Sequence, residues 1–481
     1  MKFKSLFMAI VIGGSLLACT GASQDSDTRT SGKENELTEI IGKASPEIQN
    51  GIMTPEVLYS FGRIGDVAVS PDKSSILYQV TYVSIPRNRT NSELFIMKSD
   101  GTGKKQLTFT NMNESNPRWM DGGKKIAFLS NESGSSQVWT MNPDGGGMKQ
   151  LSNVEGGING FTFSPDETKV LFVKSVKTVE TAADKYTDLP EASGRVVDDL
   201  MYKHWDHWVE NVPHPFVADL SGGKLTNIRD IMEGEPYESP LAPFGGVEQL
   251  AWSPDGKTIA YTSRKKTGKE YAVSTNSDIY FYDVESGQTR NMTEGMMGYD
   301  VNPLFSPDGT KLAWLSMERD GYEADKNRLF VMDLATGDKT YVTEDFDYNA
   351  EDFVWSEDSR AIYMISPVKG TSSLYSVDIA NREITEVAKG QHDYTSVDLA
   401  DGSLIAKRQS MSQPAEIYRV NLASGEVTEL SFENKDILDQ LWMGEIEERW
   451  ITTTDGKEML TWVVFPPDFD PAKKYPTLLY C

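Results

Sequence analysis

Apolar residues along this chain come in short runs that alternate with polar ones, and each run is cut by a tight turn. The clearest case is Trp252-Ser-Pro-Asp-Gly-Lys-Thr-Ile-Ala-Tyr261, an aromatic residue, a turn and an alternating run in ten residues. Serine first, proline second and glycine fourth suit a type I turn, because proline presets φ and glycine relaxes the exit. The flanks are predicted to be two antiparallel strands. Related stretches are Val69–Tyr78, Trp119–Phe128, Phe163–Phe172, Phe305–Trp314, Trp355–Tyr363 and a degenerate one at Leu399–Ala406, making seven in all. Each is followed by a second strand–turn–strand signal, such as Glu93–Thr108, Pro215–Asn227, Asp278–Thr293 or Glu416–Leu430.

Two hairpins per unit give four strands, and four-stranded units recurring every 40 to 50 residues or so predict an all-β fold, a seven-bladed β-propeller of four-stranded blades. The first turn positions, at 70, 120, 164, 253, 306 and 356, are separated by 50, 44, 89, 53 and 50 residues. The long step predicts an insertion in the third unit, at about 175–248, or a weak extra blade. The expected organisation is a targeting segment at 1–18, a tether at 19–44, an N-terminal segment with a short helix at 45–65, the propeller at 66–440 and a different unit at 441–481. Thr54-Pro55-Glu56 looks like a helix start, with threonine as cap and proline at the first helical position.

Charge narrows the partners. With 72 acidic against 47 basic residues and a net charge of −25, the surface repels phosphate backbones, so nucleic acid is not expected. Such a surface suits a cationic group such as a peptide amino terminus, and it also serves plain solubility. Lys2 and Lys4, the apolar run Leu6–Leu17 and the ending Leu16-Leu17-Ala18-Cys19 resemble a bacterial lipoprotein signal. Cleavage would then precede Cys19 and its thiol would carry lipid, so the expectation is an exported protein anchored to the cell envelope. The competing reading is an ordinary secretory signal. The only other cysteine is Cys481, so no internal disulfide is expected. Residues 20–43 are too poor in apolar groups to order themselves.

Three constellations carry candidate chemistry. The aromatic-rich stretch Val197–Val209 holds His204, Trp205, Asp206, His207 and Trp208, with Glu210 following. Zinc lacks a third strong ligand motif here, so no metal is expected. Aromatic anchors pinning the insertion, or a substrate-cavity wall in which Asp206 and Glu210 accept an ammonium, are the remaining readings. Ser274-Thr-Asn276 reads as a side-chain-capped loop. In Met317–Arg328, Arg319 offers a planar fork of donors to a substrate carbonyl or carboxylate, or else joins a local ion-pair network with Glu323 and Asp325.

After the repeats the punctuation changes. Ile446–Ile451, the turn Thr454-Asp-Gly456, Met459–Phe465, Pro466-Pro-Asp-Phe469 and Lys473-Lys-Tyr-Pro-Thr-Leu-Leu-Tyr480 read as short apolar strands. Together with the repeats they resemble the prolyl oligopeptidase family of serine peptidases. Lys203–Trp208, Pro243-Phe-Gly-Gly246, Ser274-Thr-Asn276 and Met317–Asp325 look most like its dipeptidyl-peptidase V and acylaminoacyl-peptidase branch. The resemblance implies a propeller capping an α/β-hydrolase domain, of which 441–481 would be the truncated start. The substrates would be oligopeptides, cleaved to release dipeptides or acyl-amino acids from the amino terminus, with no cofactor and with a homodimer formed through the hydrolase domain. The nucleophile elbow, aspartate and histidine of that family are expected beyond Cys481, so no catalytic residue is assigned here and the segment alone is expected to be inactive. The alternative is a TolB-like periplasmic propeller acting as a binding or scaffold protein.

Overall fold

The turn motif shows why its residue types recur. In the computed structural model, which describes residues 40–480, the Ser253 N–H donates to the Thr258 carbonyl and the Gly256 N–H to the Ser253 carbonyl, both at 2.9 Å. The Ser253 hydroxyl donates to Asp255 Oδ1 at 2.6 Å and accepts the Thr258 N–H at 2.9 Å. That hydroxyl, with the Lys257 amide, holds the Asp255 carboxyl below its ordinary range. The same serine–aspartate bond closes the turns at Ser70, Ser164, Ser306 and Ser356. The fourth turn residue is left-handed in each of these turns, at Gly256 (φ 70°) and Gly309 (70°) but also at Lys73 (62°), Glu167 (54°) and Ser359 (61°). The side-chain bonds of the turn hold that conformation even without glycine.

These hairpins assemble into five separate four-stranded sheets and one eight-stranded sheet. The first sheet runs Arg63–Val69, Ser75–Ser84, Arg89–Lys98 and Lys105–Gln106 in simple sequence order, and the others repeat that meander. In the eight-stranded sheet two such meanders are joined by one parallel bridge, Ser372 to Asp393. Apolar clusters fill the spaces between neighbours. Leu77 and Leu94 of the first sheet, for example, pack against Ile126, Phe128 and Met141 of the second. First strands touch first strands around a common axis. Trp119 Nε1 donates across one junction to the Ala68 carbonyl at 3.0 Å, and Trp355 Nε1 across another to Leu304 at 3.1 Å.

The ring closes without a shared strand. Ile76, Tyr78 and Phe95 of the first sheet share a core with Ile405, Ile417 and Leu430 of the last meander. Asn434, fully buried, accepts the Gly62 N–H at 2.8 Å and donates to the Gly62 carbonyl at 2.9 Å. Beside it the buried Glu433 carboxylate accepts from the Tyr82 hydroxyl at 2.9 Å and pairs with Lys104. The predicted short helix is present as Pro55–Tyr59, capped by Thr54, and its Val57 packs with Phe61 on Ile437 and Leu441.

Several expectations need correction or lie elsewhere. The third sheet includes Asn211–Ser221 and Lys224–Asp230, so the insertion is narrower than 175–248. Its spare length forms a two-stranded hairpin, Lys203–His204 with His207–Trp208, and no further four-stranded sheet. Cys19, the targeting segment, all but the last residues of the tether and Cys481 lie outside the described residues.

Two tests follow from the packing. Replacing Asn434 by alanine strands two buried backbone groups of Gly62, and at about 1–3 kcal/mol for each the stability in urea denaturation falls by about 2–6 kcal/mol. Glu93 and Glu114, both fully buried, share Thr110, whose N–H donates to Glu93 and whose hydroxyl donates to Glu114. Burial first and then mutual repulsion push Glu114 up to about 8, and burial also raises Glu93. A carboxyl raised on folding stabilises below its unfolded range near 4.5 and loses that contribution as pH climbs through about 8. The thermal midpoint therefore falls across that window, and Glu114→Gln flattens the fall.

Candidate functional site

Antiparallel meanders put the turn motifs on one face of the ring, and the loops after each second strand, with the sheet-to-sheet connections, on the other. Loop lengths on this second face are unequal. Those at 85–88, 369–370 and 411–412 are short, whereas 178–210, 264–277 and 317–327 are long. The hairpin formed by Ile446–Thr452 and Glu458–Val464 meets the same face without joining any sheet of the ring. A cavity of about 280 Å³ opens where its Ile446 and Trp462 approach Thr371, His392 and Ser410. Burial first, then the nearby Arg408, lowers His392 to about 4, so this imidazole is neutral.

The insertion is tied at its base, where the Thr178 N–H donates to the Glu210 carbonyl at 3.0 Å. The Glu210 carboxylate accepts from Arg195 Nε at 2.9 Å, and that guanidinium lies 4.2 Å from the centre of the Trp208 ring. At the hairpin tip Asp206 meets only His207, at 3.2 Å, and both side chains are more than four-fifths exposed. Trp205 stands beside them against Phe244, with ring centres 5.7 Å apart.

The next two long loops lock together. Asp320 Oδ1 accepts the Ser274 hydroxyl at 2.6 Å, the Thr275 N–H at 2.9 Å and the Asn276 N–H at 3.2 Å. Thr275 returns the contact by accepting the Gly321 N–H at 3.0 Å. Burial pushes the Asp320 carboxyl up, but the hydroxyl and two amides outweigh it and hold it below its ordinary range. Arg319 is held by Asp325, with its Nε at 3.0 Å, and lies 3.9 Å over Tyr322. Behind these loops the buried Glu238 carboxylate accepts from Arg264 at 3.2 Å and from the Tyr271 hydroxyl.

The ring's axis is lined with charge. Arg118 faces Asp66, Asp398 and Glu248, and Lys407 faces Asp66 and Asp352. Crowding by protein raises Asp398, Glu248 and, to about 6, Asp352, while it lowers both cations. Among the described residues no group of three or more His, Cys, Asp or Glu is placed to hold a metal ion.

Comparison with known proteins fits this architecture. The family model of the TolB beta propeller domain matches residues 58–196 and 250–438, more than half of the chain. The chain belongs to the TolB beta propeller family. Dipeptidyl-peptidase 5 of Porphyromonas gingivalis is 51% identical over 447 residues, which are 92% of this chain and 65% of that protein. The chain thus spans just under two thirds of the length of that relative. The structure of an acylaminoacyl peptidase from Pyrococcus horikoshii superposes with a TM-score of 0.68 at 19% identity, covering 87% of this chain and 60% of that one. The β-propeller domain of the Trilobed protease from Pyrococcus furiosus, described as having an open velcro topology, gives 0.55 at 17% identity, covering 79% of this chain and 98% of that one. The resemblance to the prolyl oligopeptidase family agrees with these relatives.

The three residues picked from sequence, Asp206, Glu210 and Arg319, all stand on the long-loop face, each engaged within its own loop. Asp325 pairs with Arg319 as expected, whereas Glu323 has no bond to it. Trp205 does not pin the insertion as an anchor, being 70% exposed. Asp320 and the axial charges were missed. A positional signal for the axis exists, because Asp66, Asn116, Asn302 and Asp352 all stand four residues before the first turn position.

Asp320→Ala should free both loops at once. Hydrogen exchange at 264–277 and 317–327 is expected to quicken together, with about 1 kcal/mol of stability lost. Arg319→Ala should leave exchange at 264–277 unchanged.

Proposed function

We propose that this chain is the substrate-gating portion of a longer serine exopeptidase that removes dipeptides or acyl-amino acids from the amino end of oligopeptides. The observation that carries the proposal is the 51% identity over 447 residues to a dipeptidyl-peptidase 5 that is about half as long again. On this reading the eight-stranded sheet counts as two blades, giving seven, and 441–481 opens an α/β-hydrolase domain whose serine, aspartate and histidine follow it. The serine, deprotonated by the histidine, attacks the scissile carbonyl, and backbone donors hold the oxyanion. The long-loop face narrows access to that site. Asp206 and Glu210 offer carboxylates to a substrate ammonium, and Arg319, steadied by Asp325, offers donors to a carbonyl or carboxylate. Cys19 carries the lipid that holds the exported protein to the cell envelope, and the hydrolase domain supplies any homodimer contact.

A TolB-like binding protein is the second reading, favoured by the family of the propeller itself. It gives no role to the hairpin at 446–464, which joins no sheet of the ring and exposes Trp450, Ile451, Met459 and Val464. Such an apolar surface suits further chain packed on it.

The test uses the full-length protein. A fluorophosphonate probe should label one serine beyond residue 481, and mass spectrometry of digested oligopeptides should show dipeptides leaving the amino end. Absence of both labelling and cleavage would establish the binding protein instead.

A further inference from the structure

The most exposed aromatic pair on the long-loop face is Trp205 with Phe244, 70% and 80% accessible. The two rings come from different segments, the insertion tip and the connection into the fourth sheet, and meet edge to face at 65°. His204 pairs with His207 across the hairpin, so Trp205 and Asp206 are its two turn residues. Trp205 has φ 52°, a left-handed position that glycine fills without strain and a bulky side chain fills at a cost. The turn therefore bears strain while displaying an indole to solvent, and neither the hairpin nor the third sheet buries that ring. Phe244 lies four residues before Glu248, which faces the axial Asp66 and Arg118.

What covers the rings follows from their surroundings. Asp206 and His207, with side chains 83% and 82% exposed, flank the indole. A permanent protein interface over the tip would dehydrate both, with only each other as partner. A single side chain of a ligand covers the rings and leaves those two groups in water. The acidic surroundings, with Asp198, Asp199 and Asp206 on the same insertion and a chain charge of −25, favour a ligand whose other end is cationic. An oligopeptide with a free amino terminus has both features.

We propose that Trp205 and Phe244 form an aromatic clamp that takes a large apolar side chain of the peptide substrate and so sets side-chain preference. This rests on the peptidase reading above. The test uses full-length protein and peptides identical except for leucine or phenylalanine against glycine, moved through the first four positions. At one position Trp205→Gly and Phe244→Ala should each lower the ratio of kcat/KM for large over small side chains about tenfold, through KM. Glycine relieves the turn, so the thermal midpoint of Trp205→Gly should not fall. An unchanged ratio in both variants overturns the clamp and leaves the peptidase intact. A lower midpoint with equal loss on every peptide also overturns it, because the tip is then docked on the rest of the protein. A wild-type protein that cleaves none of the peptides overturns the peptidase reading and the clamp together.

Discussion

The structure depends on side-chain acceptors of the first strands gripping the backbone of the next sheet. Asp66 accepts the Asn116 N–H at 3.0 Å, and Asn116 in turn accepts the Phe161 N–H at 2.9 Å. Asp352 accepts the Val397 N–H, and Asp398 the Val69 N–H, each at 3.0 Å, the last of these across the closing seam. A ring built from sequential meanders has no strand that completes its last sheet with residues from the other end of the chain. Its circumference must be held by contacts at every junction, and apolar packing alone is indifferent to small slips. The directed bonds, with the tryptophan contacts at Ala68 and Leu304, fix the first three sheets in series, the eight-stranded sheet against the fifth, its two meanders against each other and the last meander against the first sheet.

That solution shapes the axis. Acceptors that face the centre are carboxylates or amides, so charge accumulates where the strands crowd together. Arg118 and Lys407 offset part of it, standing among Asp66, Glu248, Asp352 and Asp398. Six such groups leave two excess negative charges when all are ionised, and crowding moves both signs toward neutrality. The central lining is thereby polar, unlike the apolar clusters between sheets.

Much of this was legible because local chemistry repeats. The serine that opens five of the turn motifs, the glycine or proline that follows and the apolar run behind it announce a hairpin by themselves. The aspartate's part in the turn went unread, although its bond to the serine explains why Lys73, Glu167 and Ser359 can take glycine's place. The insertion was drawn too wide because its bounds, 175–248, enclosed the Pro215–Asn227 hairpin signal, which belongs to the third sheet as Asn211–Ser221 and Lys224–Asp230. At the candidate site the residue types were visible but their partners were not. Asp325 lies six residues from Arg319 and was anticipated, whereas Asp320 meets Ser274 from 46 residues away, a pairing that only the juxtaposition of two sheets creates.

The two faces of the ring are consequently under different constraints. On the turn face five of the first turns are closed by their own serine and aspartate, and there length cannot vary without breaking the motif. On the other face no such bond limits the loops, and length has grown in three adjacent places. Two of these loops are joined through Asp320, which removes their independent motion and gives Arg319 a fixed base. The third is anchored at its base by Glu210 and Arg195 and touches its surroundings through Trp205 against Phe244. The rim is thus locked by hydrogen bonds on one side and held by fewer polar bonds on the other. On the peptidase reading proposed above, fixed donors beside an adjustable edge would present different peptides in the same direction.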